Sequence, residues 1–201
     1  MTEKRKKVYF RCHSLILRNI NILNPVYFTL VSVLQVFEHA HAAGLDQADI
    51  LSCIAAMRPT PGIEELIAAL AAEGWDILVL TDANTVFVRH WLSTHGLERC
   101  PGLCFVTQSS VNRAFWRNGR LHIEPCMAQA ACARCPANLC KSLALAQWCA
   151  ARPGYAAVLY AGDGRNDYCP ATNLPFKTLI TCRHKNVKIK IYNLLRKSTT
   201  K

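Results

Sequence analysis

Acidic residues are scarce in this sequence and missing where its charge concentrates. Only 13 Asp and Glu stand against 24 Lys and Arg, and residues 177–201 contain neither an acid nor a glycine. Residues 1–25 contain no aspartate. The formal charge of +11 therefore divides into +5 over residues 1–18, +8 over residues 177–201 and −2 over the remainder. Charge confined to two ends describes solvated extensions rather than a nucleic-acid face, so no nucleic-acid partner is expected. Long apolar runs are lacking as well. Ile20–Phe37 comes nearest, but Asn21, Asn24 and Pro25 interrupt it, whereas a spanning helix needs about 20 apolar residues. No transmembrane segment is expected. A cleavable signal peptide is not evident, and eleven cysteines, an odd count in a long chain, do not follow a secreted disulfide framework. These absences predict a reducing, cytoplasmic setting.

What remains is a chain able to bury a core, 51% apolar and 18% charged. Val26, Leu30, Val33, Leu34 and Phe37 follow helical spacing and predict a helix over residues 26–43, stopped by Gly44. A second helix is expected near Gln47–Met57. Thr60-Pro61-Gly62 opens a third, with Glu64 and Glu65 in its first turn and Gly74 at its end. Trp75–Leu80 reads as a buried strand leading through Thr81-Asp82-Ala83-Asn84 into a helix from Thr85 to about Thr94. Leu103–Thr107 is expected as a strand. Asn118-Gly119 between Ala114–Arg117 and Arg120–Ile123 predicts a β-hairpin. A helix over residues 137–150 then leads to the apolar strand Ala156–Tyr160. Alternating helices and strands imply an α/β architecture.

Three places could carry chemistry. The loop Ala161-Gly-Asp-Gly-Arg-Asn-Asp167 follows a buried strand, where open α/β sheets place ligands, and its two carboxylates suit a hard cation or cap the next helix. Thr81 stands between a strand end and a helix start, as a phosphate-binding hydroxyl or as a cap. Lys141 opens a long apolar helix, as a phosphate-neutralising point charge or an ordinary surface lysine. Trp91, Trp116 and Trp148 are expected to pack in the core.

Together, Leu80-Thr-Asp-Ala-Asn-Thr85, Cys132-Ala-Arg-Cys-Pro-Ala-Asn-Leu-Cys-Lys141 and Gly162-Asp-Gly-Arg-Asn-Asp-Tyr-Cys-Pro170 resemble one family. It is the phosphoethanolamine/phosphocholine and pyridoxal-phosphate phosphatase branch of the haloacid dehalogenase superfamily. The resemblance also takes in Thr60–Leu66 and the Val36-Phe37 helix, covering about residues 26–174. It implies a Rossmann-like core with a small helical cap, and Mg²⁺-dependent hydrolysis of a small phosphomonoester: phosphoethanolamine, phosphocholine or pyridoxal 5′-phosphate. By resemblance, Thr81 binds phosphate, Asp82 contacts the head group and Lys141 neutralises charge. Asp163 ligates Mg²⁺ and Asp167 supports it.

The family begins with a strand ending in Asp-x-Asp, whose first carboxylate attacks phosphorus and whose second serves as acid and base. No Asp-x-Asp occurs in this sequence. Asp46 and Asp49 lack a preceding apolar strand and do not replace it. The resulting organisation is a divergent basic segment over residues 1–25, a helical cap remnant over 26–60, a core with hairpin and Cys-rich insertion over 61–176, and a divergent basic tail over 177–201. The first core strand is expected to be missing and the chain to be a truncated form. Without the nucleophile, little or no turnover is expected. An incomplete sheet predicts instability or dimerisation, with the oligomeric state left open. The rival reading is a non-catalytic derivative that binds phosphate, a partner, or Zn²⁺ at Cys126, Cys132, Cys135 and Cys140; the same cysteines also suit a structural loop with a reducible disulfide.

Overall fold

Five parallel strands make the central sheet, in the order β3-β2-β1-β6-β7. A computed structural model describes residues 5–10, 30–100, 103–104, 110–162, 167, 169–170 and 178–182. In chain order the elements are β1 (Arg5–Phe10), α1 (Leu30–Ala42), α2 (Gln47–Ala55), α3 (Ile63–Ala72), β2 (Trp75–Val79) and α4 (Thr85–Thr94). They continue with β3 (Leu103–Cys104), β4 (Arg113–Arg117), β5 (Arg120–Glu124), α5 (Lys141–Ala150), β6 (Tyr155–Gly162) and β7 (Thr178–Cys182). Strands β4 and β5 pair separately as an antiparallel hairpin. The α/β class expected from the sequence is the one observed.

The expectation of a missing first strand is overturned. β1 occupies the middle of the sheet, pairing Lys6–Phe10 with Trp75–Val79 on one side and Val8 and Tyr9 with Leu159 and Tyr160 on the other. Val8, Tyr9 and Phe10 supply β-branched and aromatic strand formers. The four cations at residues 4–7 conceal that signal, because buried parallel strands ordinarily read as continuous apolar runs. The backbone ladder itself accepts any non-proline residue. With β1 in place, the argument from an open sheet to instability or dimerisation loses its premise. The tail also contributes to the core: β7 pairs parallel with β6 through Val158↔Thr178 to Gly162↔Cys182.

Two apolar clusters flank the sheet. Ile77 and Val79 join Phe37, Ile54, Met57, Ile67, Phe87, Val88, Trp91 and Leu92 in the first. Leu78 and Leu80, displaced by one residue and therefore on the other face, join Leu139, Leu145, Trp148, Val158 and Tyr160. Trp91 and Trp148 are buried and Trp116 packs against the first cluster, as expected. Trp91 also donates from Nε1 to the Met57 carbonyl at 2.9 Å, satisfying the polar end of a buried indole.

Boundaries moved where turn chemistry overrode periodicity. Thr60–Ile63 closes a turn, the Ile63 N–H donating to the Thr60 carbonyl at 3.0 Å. Gly62, at φ 81° and ψ 0°, takes the left-handed place after Pro61 that a type II turn requires, so α3 starts only at Ile63. Extended Cys140 delays α5 to Lys141, rather than 137. The hairpin turn is as expected, with Asn118 and Gly119 at φ 50° and 73°. Of the strand expected at Leu103–Thr107, β3 shows Leu103–Cys104; residues 105–109 lie outside those described. Asp46 and Asp49 form a reciprocal capping box at the start of α2, each backbone N–H donating to the other's carboxylate at 2.9 Å.

Candidate active site

The sheet changes direction at β1. Strands β2 and β3 lie to one side and β6 and β7 to the other, so the loops after β1, β2 and β6 leave from adjacent carboxyl ends. Parallel sheets bind ligands at such a switch point, because the diverging connections open a crevice there. Thr81 follows β2 at this end of the sheet, and residues 163–167 follow β6 in sequence, Ala161 and Gly162 of the expected loop being paired in the strand itself. The residues that follow β1 in sequence are Arg11, Cys12 and His13, none of them a carboxylate.

Thr81 is fully buried. Its N–H donates to the Ser110 carbonyl at 3.0 Å, and its Oγ1 accepts from the Ala83 N–H at 3.1 Å. The capping role considered for Thr81 belongs instead to Asn84, whose side chain accepts from the Phe87 N–H at 3.0 Å. The carbonyl of Asp82 accepts from Asn112 Nδ2 at 2.7 Å.

Asn112, which the sequence did not single out, ties the crevice together. It is fully buried, and its Oδ1 accepts from the Cys126 N–H at 3.1 Å and from Asn138 Nδ2 at 3.3 Å. One amide therefore joins the Thr81 loop, the start of the hairpin and the segment leading to Lys141. No sequence pattern marks it, since its partners lie 14 to 30 residues away.

Lys141 and Asp167, given separate roles by the resemblance, meet directly in the structure. Lys141 Nζ lies 2.7 Å from Asp167 Oδ1, and both side chains are completely buried. Tyr160 adds an O–H donor to the same oxygen at 2.6 Å. Taking two charges out of water costs several kcal/mol per ion unless geometry and extra hydrogen bonds repay it, and the phenol supplies one such bond. Tyr160 escaped the sequence reading because it looks like the last apolar residue of a strand.

Asp163 lies outside the described residues. Asp167 is the described half of the expected magnesium pair. Its Oδ1 accepts from an ammonium and a phenol, the setting of a charge-balancing acid that orients Lys141. The described residues therefore do not by themselves make a magnesium site. Thr81, Asp82, Lys141 and Asp167 are also absent from the lining of a separate cavity of about 310 Å³ between α1 and the hairpin, which includes Leu34, Phe115 and Arg120.

The expected zinc set needs one correction. Sulfurs of Cys132, Cys135, Cys140 and Cys169 all lie within 4.8 Å of one another. Cys126 stands apart, its Sγ donating to the Asn138 carbonyl at 3.0 Å. Burial, partly offset by backbone hydrogen bonding and reinforced by the negative charge of Asp82, pushes the Cys126 thiol up to about 11. Cys132 is drawn down to about 7, chiefly by the Arg134 backbone N–H and then by Cys169, whereas burial raises Cys135 and Cys169. Cys169 was missed because it is 29 residues beyond Cys140 and reaches the cluster only through the fold. The eight cysteines whose side chains are described form no disulfide.

Comparisons with known proteins concern the chain's family and fold. A family described as "Putative Phosphatase" matches residues 17–198, a span that includes most of the basic tail expected to be foreign. "Probable phosphatase phospho1" of Danio rerio is 32% identical over 149 residues, 70% of this chain and 52% of that protein. "Pyridoxal phosphate phosphatase PHOSPHO2" of Rattus norvegicus is 28% identical over 70% of this chain and 58% of its own length. "Phosphoethanolamine/phosphocholine phosphatase" of Homo sapiens is 28% identical, over 68% and 51%. The chain spans about half the length of the curated relatives it matches. Among solved structures, an apo phosphoserine phosphatase superposes with a TM-score of 0.53 at 18% identity, covering 89% of this chain and 86% of that one. Cytosolic 5′-nucleotidase IIIB bound to cytidine gives 0.50 at 13%, covering 89% and 72%. These structural likenesses concern the fold. Given the extent of the sequence match, the chain belongs to the PHOSPHO-type phosphatase family of the haloacid dehalogenase superfamily.

Proposed function

We propose that this chain carries the phosphate-binding half of a small-phosphomonoester phosphatase, with turnover limited by the missing Asp-x-Asp. The buried Lys141–Asp167–Tyr160 arrangement carries this reading. Lys141 would present positive charge to a transferring phosphoryl group from a position where solvent screens it little. Asp167 orients the ammonium and Tyr160 fixes Asp167. Thr81 would donate its hydroxyl to a phosphate oxygen, Asp82 would face the head group, and residues 26–60 would serve as the cap. The names of the relatives point to phosphoethanolamine, phosphocholine or pyridoxal phosphate as substrate. Magnesium is the family's cofactor, and its place in this chain rests on Asp163.

Covalent phosphoryl transfer needs an activated carboxylate where β1 ends, and Arg11 and His13 stand at the first and third positions beyond it. Purified chain assayed with Mg²⁺ and each of the three substrates should show no turnover near the ordinary range of about 1–10³ per second. Turnover in that range would overturn the defect. The double substitution Arg11→Asp and His13→Asp should raise activity. Calorimetric binding of inorganic phosphate, weakened by Thr81→Val, tests the site separately; absence of phosphate binding to the unsubstituted chain would overturn it.

A further inference from the structure

The Cys-rich insertion has a geometry that neither phosphate chemistry nor packing explains. Cys132 and Cys135 form a Cys-x₂-Cys turn in which the Cys135 N–H donates to the Cys132 carbonyl at 3.2 Å. Gln129 holds that turn from inside. Its Nε2 donates to the carbonyls of Cys132, Cys135 and Pro136 at 3.3, 3.2 and 2.9 Å, and its Oε1 accepts from the Cys132 N–H at 2.9 Å. Cys140 follows Cys135 with four residues between them, its own N–H lying 3.2 Å from Met127 Sδ. Cys169 comes in from the segment after β6, with its sulfur 3.5 Å from Cys132 and 3.9 Å from Cys140.

A Zn²⁺ ion with four sulfur bonds of about 2.3 Å at tetrahedral angles spaces its sulfurs by about 3.8 Å. The observed separations bracket that value. Four sulfurs within 4.8 Å leave room for one ion and not for a polynuclear cluster. All four donors are thiols, the soft set that zinc accepts as thiolates, and the backbone around two of them is already constrained.

From this geometry we infer that Cys132, Cys135, Cys140 and Cys169 form a closed structural Zn²⁺ site that pins the Cys-rich insertion to the segment following β6. Binding replaces thiol protons by the ion, which releases them to solvent, and no electron is transferred. Four protein thiolates leave no position for a bound water, so the ion does not take part in hydrolysis. Its effect is on position. Cys140 immediately precedes Lys141, and Cys169 lies two residues after Asp167. One ion thereby fixes both backbone segments that deliver the buried ion pair. The site stands independently of the phosphatase reading, because none of its ligands is assigned a role with substrate.

Titration of the full, reduced and chelator-treated chain with Co²⁺, in the absence of oxygen, reads the site directly. The expected result is about one equivalent of Co²⁺ with the thiolate charge-transfer and tetrahedral d–d absorption of a four-sulfur complex, displaced by Zn²⁺. Cys169→Ser should weaken binding by at least about 100-fold, since even outer partners of a metal cost 10–100-fold. Cys126→Ser should leave binding unchanged. Should Cys169→Ser fail to fold, alkylation of the native chain followed by mass spectrometry still decides. Zn²⁺ should protect Cys132, Cys135, Cys140 and Cys169 while exposed Cys53 reacts. Absence of stoichiometric metal, a spectrum lacking four thiolates, loss of binding in Cys126→Ser, or a Cys132–Cys169 disulfide in place of the metal would each overturn the inference.

Discussion

Ile77 and Val79 enter one apolar cluster, whereas Leu78 and Leu80, one step along the same strand, enter another. The two sides of the sheet differ in what accompanies those side chains. On the first, four helices and the hairpin contribute aliphatic and aromatic groups, and the polar contacts are neutral ones to backbone, such as Trp91 Nε1 to the Met57 carbonyl and Thr85 Oγ1 to the Ala114 backbone. On the second, α5 brings a smaller cluster together with a buried ammonium, a buried carboxylate, a phenol and four neighbouring thiols. Apolar contacts tolerate adjustment, because dispersion and burial are non-directional. A buried charge pair does not, because losing one partner strands the other in a medium that solvates it poorly. On the side that carries the chemistry, the loss of one charged partner is therefore best offset by removing the other.

The strongest test of this contrast is a pair of double-mutant cycles. Lys141→Met should destabilise the chain by about 3–5 kcal/mol, and adding Asp167→Leu should recover much of that loss. Trp91→Ala on the other face should cost a similar amount, about 3–5 kcal/mol, while adding Leu92→Ala deepens the loss without recovery. Urea midpoints of the wild type, the four single variants (Asp167→Leu and Leu92→Ala included) and the two double variants check both cycles. A failure of Asp167→Leu to rescue Lys141→Met would show that the pair contributes more than mutual compensation.

Smaller substitutions sharpen the contrast. Tyr160→Phe removes one hydrogen bond to a charged oxygen and should cost about 1.5–3 kcal/mol in the same measurement. Asn84→Ala removes the cap of α4 and should cost about 1 kcal/mol, within the ordinary range for such caps. The least effect comes from Cys126. Its thiol is raised to about 11, so the folded state holds the proton more tightly than the unfolded one. The associated stability is fully present below the unfolded thiol's range near pH 8.5 and is lost as pH rises toward 11. Cys126→Ser should flatten that alkaline slope, as denaturant midpoints at pH 8 and pH 10 would show.

Much of this was readable from local pattern. The Asn118-Gly119 hairpin, the apolar β2 and β6, and the helical stretch of α4 depend on turn chemistry and near-neighbour periodicity. Lys141 and Asp167 were singled out through their motifs, but their pairing was not, because it joins segments 26 residues apart. β1 was not legible, because cations mask a strand whose place depends on backbone pairing with β2 and β6. Asn112, Tyr160 and Cys169 were not legible either, since each acts through a partner supplied by another segment.

The sequence alone therefore determined the α/β class, the order of the candidate groups and the absence of an Asp-x-Asp. Those properties reside in residue identity and short-range spacing, which folding does not alter. Tertiary structure decided that a basic segment completes the sheet, that Asn84 rather than Thr81 caps α4, and that Cys169 displaces Cys126 from the thiol cluster. Each of those outcomes depends on which distant segments meet, and that is set by strand pairing and by the need to satisfy buried polar groups.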